Sequence, residues 1–315
     1  MTKPSADRSG ELAALWLPGD PDDSGAFEAE RSLAAAIAQV EGLRPFAPAV
    51  ARLMSTLQGN RGGPDAVRMV LESDPTLATR VMAFVNSDTF DVPVRCRSIS
   101  HAIRLLDDHQ LDSFALTMAN HERFHETEGP AAEIVAHSAR CGTIARLLAD
   151  QGGSPDKETA FICALLHDIG KLLMLQVSDD LTGETGSDPY LALLERSGGG
   201  PDRLHPLEQE LYGYGHGVLA AHALRSWSVP PPIPDVIAFH HQPAMAAKTN
   251  DKVRTLVAFV RLADQLSYLD VQDETLQASA QVDDSDASLL GLDGSAIDAF
   301  WRNNRHLVAT SARHD

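Results

Sequence analysis

The chain has 315 residues, of which 43% are hydrophobic, so it carries enough apolar material to form a sizeable core. Its 26 lysines and arginines face 44 aspartates and glutamates, which gives a formal net charge of −18 at pH 7. Because such a surface repels the phosphate backbone of nucleic acids, we expect no binding of DNA or RNA. The three cysteines have no paired spacing, which argues against a disulfide framework.

The N-terminal segment, residues 1–27, is polar and acidic, and we assign it no function. Its first ten residues lack the apolar core of a signal peptide. We find no apolar run of the roughly 18 residues that a membrane span needs. The sequence therefore predicts a soluble, cytoplasmic protein that has no membrane partner.

Between Ala26 and Asn120, apolar residues recur at intervals of three and four, the spacing that places them on one face of a helix. Proline at the first turn of a helix loses no hydrogen bond, and Pro64 and the pair Asp74-Pro75 stand where two of these helices would begin. Strand-like alternation is almost absent, and the aromatic content is only 5%. An all-α fold is predicted.

The second half of the chain, from about Pro130, carries longer helical patterns. Between Ser178 and Pro206 the composition turns to Gly, Ser, Asp and Thr, which predicts a long loop interrupted by one short helix. Because this loop lies close to metal-type residues, we interpret it as a candidate lid. Helices are predicted at Ile134 to Leu148, Asp156 to Leu175, Pro189 to Glu195, Pro206 to Trp227, Ile233 to His241, Lys252 to Tyr268 and Gly294 to His306.

Several imidazole and carboxylate side chains fall on the apolar faces of these helices. One inward histidine is ordinarily a core residue bonded to a carbonyl group, but a whole set needs another explanation. Buried carboxylates need cationic partners, and few lysines or arginines share these faces, so a divalent metal ion is the predicted partner. The predicted ligands are His137, His167, Asp168, His216, His240, His241 and Asp264.

The donor types limit the metal. Mixed nitrogen and oxygen donors suit iron, manganese, zinc or nickel, and we expect no cysteine thiolate near them. We therefore expect a binuclear centre of iron or manganese bridged by Asp168, with zinc, nickel and magnesium as alternatives. Two such ions would activate a water as a nucleophile and hold a phosphoryl oxygen, which is the chemistry of a phosphohydrolase.

Three more residues near the predicted ligands have two interpretations each. Lys171 would stabilise phosphate charge and act with Asp168 as a catalytic residue, or it is an ordinary lysine at the C-terminal end of a helix, beside Gly170. Glu208 and Glu210 precede His216 at a spacing that lets one of them orient its imidazole from outside the metal. Alternatively, both are solvated glutamates in the first turn of a helix.

The order of these ligands along the chain resembles that of the HD superfamily of metal-dependent phosphohydrolases. Upstream of the ligands lie four motifs: Leu43-Arg-Pro-Phe-Ala-Pro48, Glu72-Ser-Asp-Pro75, Val85-Asn-Ser87 and Ser98-Ile-Ser-His-Ala-Ile-Arg-Leu-Leu106. They resemble the N-terminal half of the HDOD family, the HD-related output domains. The resemblance covers roughly residues 33–270 and implies an all-helical fold, a bacterial cytoplasmic setting and a role in signal transduction.

The resemblance also implies a division of the chain. An N-terminal helical part over 28–125 packs on an HD-like metal-site subdomain over 126–275, and a helical extension over 276–315 follows. The HD-GYP subfamily, which hydrolyses cyclic di-GMP, carries Gly-Tyr-Pro after its histidine doublet, whereas Gln242-Pro243-Ala244 follows the doublet here. This departure argues against hydrolysis of cyclic di-GMP but leaves the metal ligands intact.

Two functional hypotheses result. In the first, the protein is a signalling output module of the HDOD type that binds a signalling protein or a small phosphorylated ligand, with metal ions that serve structure or ligand capture. In the second, it is a metal-dependent phosphohydrolase acting on a nucleotide or a cyclic dinucleotide. We place the first ahead, because the family tends to lack catalysis and the Gly-Tyr-Pro motif is missing. The sequence indicates no oligomeric state.

Overall fold

In the computed structural model, the described residues are 33–37, 43–45, 47–58, 63–87, 90, 94–120, 129–182, 189–198, 203–273 and 275–311. All regular secondary structure in these ranges is helical, which confirms the predicted all-α class. The acidic lead-in predicted for residues 1–27 lies outside the described residues.

Besides a short helical segment at 33–37, the described part of the N-terminal half forms five helices. The helix that starts at Pro75 begins where the sequence predicts, because Asp74 caps it. Oδ1 of Asp74 accepts hydrogen bonds from the backbone N–H groups of Thr76 at 2.7 Å and Leu77 at 3.2 Å. The five helices are α1 (Ala47–Gln58), α2 (Gly63–Glu72), α3 (Pro75–Asn86), α4 (Ile99–Leu105) and α5 (Asp108–Asn120).

The longest helix of the second half spans Pro130–Gln151 and packs against the helices Lys157–Leu166 and Asp251–Ser267, so these three form the centre of the HD-like half. A short 3₁₀ helix, Ala278–Gln281, precedes the last two helices. In chain order the helices are α6 (Pro130–Gln151), α7 (Lys157–Leu166), α8 (Ile169–Thr182), α9 (Pro189–Ser197), α10 (Leu204–Tyr212), α11 (His216–Ser226), α12 (Ile233–Phe239), α13 (Pro243–Ala246), α14 (Asp251–Ser267), α15 (Asp284–Leu289) and α16 (Gly294–Ser311).

Two helices that the sequence predicts as continuous are divided in the structure. The stretch Asp156 to Leu175 consists of α7 and α8, which meet at the turn His167–Asp168. The stretch Pro206 to Trp227 consists of α10 and α11, because Gly213 ends α10 with a left-handed φ of 80° that glycine adopts readily. As a result, the His-Asp pair and His216 lie at helix ends.

The stretch Lys157–Ser178, which covers α7 and most of α8, has a mean hydropathy of 1.6 and the length of a membrane span. His167, Asp168 and Lys171 interrupt the stretch, so it reaches this mean hydropathy without being a continuous apolar run. However, 89% of its most apolar 18-residue window is buried inside the protein. The stretch serves as a core element of the helical fold.

Helices α8 and α11 approach each other closely at Gly170. A Cβ atom at this position would overlap the backbone carbonyl group of His216, so only a residue without a side chain fits. The contact brings the first residue of α11 against the turn that carries His167 and Asp168. The glycine next to the His-Asp pair thereby helps to assemble the polar centre described below.

An ion-pair network joins the two halves of the molecule. Arg146 of α6 donates two hydrogen bonds of 2.9 Å to Glu72 of α2 and one of 3.1 Å to Glu158 of α7. Its guanidinium carbon lies 3.7 Å from the centre of the Phe161 ring. These contacts hold N-terminal helices against the HD-like half. The division of the chain into four segments stays a prediction.

Candidate metal centre

The seven predicted ligands come from different parts of the fold and meet in one place. His137 lies in the middle of α6, and Asp264 lies near the end of α14. All seven except His241 are buried. The other five lie at helix ends: His167 and Asp168 in the turn after α7, His216 at the start of α11, and His240 and His241 directly after α12.

The first donor group consists of His137, Cys141, His167 and Asp264. The Nε2 atoms of His137 and His167 are 3.3 Å apart. Oδ1 of Asp264 lies 3.1 Å from Nε2 of His137 and 3.9 Å from Nε2 of His167. One donor atom from each of the four residues lies within 4.8 Å of the others, so these atoms are close enough to share one ion.

The second donor group consists of Asp168, His216, His240 and His241, and its donor atoms also lie within 4.8 Å of one another. Nε2 of His216 is 3.3 Å from Nε2 of His240 and 3.2 Å from Oδ1 of Asp168. The rings of His240 and His241 pack with their centroids 4.0 Å apart. A second ion would therefore have three imidazoles and one carboxylate around it.

Asp168 connects the two donor groups, because its two oxygens point in different directions. Oδ1 faces His216, while Oδ2 lies 3.4 Å from Nε2 of both His137 and His167. Oδ2 also accepts a hydrogen bond of 2.6 Å from Nζ of Lys171. The structure thus brings Asp168 to the place where a bridging ligand would lie. Lys171 reaches the same carboxylate from the first turn of α8, not from the C-terminal end of a helix.

Four of the histidines are held through their outer ring nitrogen. These Nδ1 contacts are His167 to the carbonyl oxygen of Ala164 (2.7 Å), His240 to that of Ile237 (2.6 Å), His216 to Oε2 of Glu208 (2.7 Å) and His137 to Oγ of Ser267 (3.1 Å). The Ser267 hydroxyl itself donates to the carbonyl oxygen of Asp264, so it accepts from His137. Each acceptor assigns the ring proton to Nδ1 and directs the Nε2 lone pair into the centre.

Four imidazole lone pairs and two carboxylates consequently face one another, and a cation between them would satisfy them all. The pKa directions show how the carboxylates act. Although burial opposes protonation of His216, the charge of Glu208 and a hydrogen bond to Asp168 raise the pKa of His216 to about 9. Burial also opposes ionisation of Asp168, yet the neighbouring charges of His167 and Lys171 hold its pKa well below the usual range. By contrast, burial and the neighbouring histidines lower the pKa of His240 well below the usual range. The carboxylates therefore favour a positive charge beside them, which a buried ring such as His240 does not supply.

Of the two glutamates predicted to orient His216, the structure brings Glu208 to it and leaves Glu210 exposed. Oε2 of Glu208 accepts hydrogen bonds from Nδ1 and from the backbone N–H of His216, and its Oε1 accepts one of 2.7 Å from the Tyr190 hydroxyl. Glu210 lies two residues further along α10, on the side of the helix that faces away. Glu210 is therefore a solvated glutamate, whereas Glu208 lies where it can orient the imidazole of His216.

A cleft of about 620 Å³ opens beside the two donor groups, and Asp168 and Lys171 line it. Leu191 and Leu194 of α9 also line it, so the short helix within the predicted lid segment forms part of the wall. On another wall, Nε of Arg140 is buried and has no hydrogen-bond partner among the described residues. The cleft thus presents two cationic side chains, Arg140 and Lys171, next to the centre.

Two residues of the centre are missing from the sequence prediction. Sγ of Cys141 lies 3.5 Å from Nε2 of His137, which corrects the expectation that no thiolate lies near the ligands. A sequence signal existed, since a residue four positions after His137 shares its helix face. His205 stacks on His241 with ring centroids 5.1 Å apart, and burial lowers the pKa of His205 to about 4. No local pattern pairs these two rings, because the contact depends on the tertiary fold.

Solved structures share this fold. The described fold is similar to two crystal structures: the MmoQ response regulator from Methylococcus capsulatus and a virulence factor from Campylobacter jejuni. The first is 18% identical, covers 83% of this chain and 98% of that one, and has a TM-score of 0.63. The second is 16% identical, covers 89% of this chain and 97% of that one, and has a TM-score of 0.65. At such low identity the likeness shows the fold alone.

The sequence comparison is more specific. The family model for the HDOD domain matches residues 43–243, which is more than half of the chain. The chain belongs to the HDOD family. A curated relative, an uncharacterized protein of Treponema pallidum (strain Nichols), is 23% identical over 202 residues, which make up 64% of this chain but only 37% of that protein. The chain therefore spans little more than a third of the relative's length.

Proposed function

We propose that this protein is a signal-transduction output module whose HD-like half binds divalent ions in the two donor groups and receives a small phosphorylated ligand in the adjacent cleft. One observation carries the proposal. The outer nitrogens of four histidines are bonded to acceptors, so their inner lone pairs converge on the centre together with two carboxylates. Mixed imidazole and carboxylate donors suit zinc, iron, manganese or nickel.

The ligand class follows from the charges of the cleft. With a formal net charge of −18, the protein surface repels anions, so an anionic ligand needs a local positive centre. Bound ions together with Lys171 and Arg140 would supply it. Guanidinium groups bind phosphate oxygens through paired N–H donors, and Nε of Arg140 is a buried donor that has no partner among the described residues. These features support a phosphorylated ligand over a neutral one.

The signalling role rests on family membership and on likeness to a protein named as a response regulator. In this role, ligand capture in the cleft would alter how the module contacts a signalling protein. Because the chain matches only part of its curated relative, a partner of the whole protein is likewise a proposal.

Metal binding is tested by elemental analysis of the purified protein, with removal by a chelator and reloading with iron, manganese, zinc or nickel. We expect up to two ions per chain and an increase in Tm on reloading, because an ion that binds the folded state stabilises it. A protein that retains no ion and shows no change in Tm with any of these metals would contradict the proposal.

Ligand capture is tested on the metal-loaded protein by titration calorimetry with inorganic phosphate, nucleotides and cyclic dinucleotides. The variant Arg140→Gln should weaken binding of the phosphorylated compound by at least tenfold, since a charge-assisted contact is lost. The matched control is Arg302→Gln, which changes an exposed arginine of α16 and should leave binding unchanged. Equal binding by both variants would show that the cleft does not receive the ligand through Arg140.

A second candidate function is hydrolysis of a phosphate ester, and the position of Lys171 favours it. Its ammonium group is held at Asp168 on the wall of the cleft, where it could stabilise the charge of a phosphoryl group. Bound ions would supply Lewis acidity and a nucleophilic water. Release of phosphate or of a linear product from nucleotides or cyclic dinucleotides, with iron or manganese added, would establish this activity. If the metal-loaded protein releases no product, hydrolysis is excluded and the binding function proposed first stands.

A further inference from the structure

We infer that Cys141 is a ligand of the ion in the first donor group, which the family's His and Asp pattern does not include. The inference rests on the proposed metal binding and deepens it. The first ion would then be held by two imidazoles, one carboxylate and one thiolate. Such a donor set favours zinc over the iron or manganese that the sequence suggests.

The distances between donor atoms support this arrangement. Around a tetrahedral zinc ion, bonds of about 2.0–2.3 Å place neighbouring nitrogen, oxygen and sulfur donors roughly 3.3–3.6 Å apart. In the first donor group, Nε2 of His137 lies 3.5 Å from Sγ of Cys141, 3.3 Å from Nε2 of His167 and 3.1 Å from Oδ1 of Asp264. Three of the separations thus already approach those of a bound ion.

The surroundings of Cys141 distinguish it from the other two cysteines. Cys96 is fully buried and its Sγ lies 3.3 Å from the carbonyl oxygen of Ser98, a contact that satisfies the thiol within the backbone. Cys163 is also fully buried, but it belongs to neither donor group. Sγ of Cys141 instead lies 3.5 Å from Nε2 and 3.9 Å from Nδ1 of His137. Cys141 is therefore the cysteine placed to bind an ion.

The position of Asp168 is consistent with a thiolate in the first group. Oδ2 of Asp168 is already bonded to Lys171, at 2.6 Å, and lies farther from the nearest first-group histidine atoms, at 3.4 Å. Asp168 can thus serve the second group through Oδ1, while Cys141 completes the first. On binding, the thiol loses its proton to solvent as the sulfur–metal bond forms. Four protein ligands leave the first ion no open position, which is typical of a structural site.

Cobalt(II) replacement tests the ligand directly, because a thiolate bound to cobalt(II) gives a charge-transfer absorption in the near ultraviolet that nitrogen and oxygen ligands do not give. We expect this band in the cobalt-loaded wild-type protein. It should disappear in Cys141→Ser and persist in the matched control Cys163→Ser, which makes the same change at a buried cysteine outside both donor groups. Circular dichroism confirms that each variant retains its helices.

The outcomes separate this inference from the proposed function. If the wild-type protein binds no metal at all, the proposed function fails and the inference fails with it. If it binds cobalt without the charge-transfer band, or if the band depends on Cys163, metal binding stands and Cys141 is not a ligand. The wild-type spectrum decides the presence of a thiolate even where Cys141→Ser does not fold.

A competition measurement gives a second readout. We expect the first ion of the wild-type protein to be zinc when zinc and manganese compete. Cys141→Ser should weaken zinc binding by at least about tenfold, the smallest loss typical of even an outer partner of a metal ligand, and should change manganese binding much less. An unchanged ratio of zinc to manganese affinity in Cys141→Ser would overturn the inference.

Discussion

The two halves of the molecule treat their buried polar side chains differently. In the N-terminal half, the amide of Asn86 is buried, and its Nδ2 donates to the carbonyl oxygens of Met82 and Cys96 while its Oδ1 accepts from the N–H of Cys96. The buried Asp74 likewise accepts from backbone N–H groups at the start of α3. These polar groups complete the backbone hydrogen bonding, as buried polar groups in a core usually do.

In the HD-like half, two buried histidines of the centre bond to the backbone on one side only. The rings of His167 and His240 use Nδ1 for a carbonyl group of the preceding turn, and their Nε2 atoms point at other acceptors. Here the backbone contact orients the side chain for a further partner. Burial of a polar residue therefore does not mark a functional site by itself. Several buried hydrogen-bond acceptors that face one another do mark such a site, because they need a cation or donor between them.

Replacing one buried aspartate in each half should separate these two roles. Asp168→Ala removes the only carboxylate of the second donor group, so we expect loss of the ion in that group by elemental analysis. Asp74→Ala removes a helix cap and should cost about 0.5–2 kcal/mol of stability by urea unfolding, with the metal content unchanged. The isosteric variant Asp168→Asn checks that any loss of metal does not come from a cavity. The comparison breaks down if Asp74→Ala loses as much metal as Asp168→Ala.

The fold was largely predictable from the sequence, because apolar spacing of three and four residues is a local property. The same property explains the errors. The pattern runs without interruption from α7 into α8, so periodicity cannot show the turn His167–Asp168 between them. Gly213 did carry a local signal for the break before α11, since glycine commonly ends helices.

The candidate site was predictable as far as it consists of polar residues on apolar faces. His137, His216 and Asp264 could be identified because their neighbours at helical spacing are apolar. The choice of Glu208 over Glu210 depends on how α10 packs beside α11. The approach of Cys141 to His167 and Asp264 depends on how α6 packs against α7 and α14. Such contacts need the tertiary structure, and the ligand roles themselves stay predictions.

The two glutamates of α10 allow a smaller, more local test of how the outer nitrogen contacts of the histidines support metal binding. Glu208→Gln keeps the shape of the side chain but removes the charge that orients His216 and raises its pKa. We expect about 10–100-fold weaker binding of the ion in the second donor group, measured by competition with a chromogenic chelator, and no change in the first. Glu210→Gln, at an exposed position, should bind both ions like the wild type. Equal losses at both ions would show that the donor groups do not act separately.

The smallest expected effect concerns the backbone that supports the centre. In Gly170→Ala, the new methyl group meets the carbonyl group of His216, so α8 and α11 must move apart. We expect a loss of about 1–3 kcal/mol in the free energy of unfolding, as for other overpacked contacts. Gly152→Ala is the matched control, because its φ is −75° and its nearest contact would be 3.5 Å away, so stability should change by less than about 0.5 kcal/mol. If both variants unfold alike in urea, the close approach of the two helices does not exist in solution, and the glycine is dispensable to the contact between His216 and the His-Asp turn.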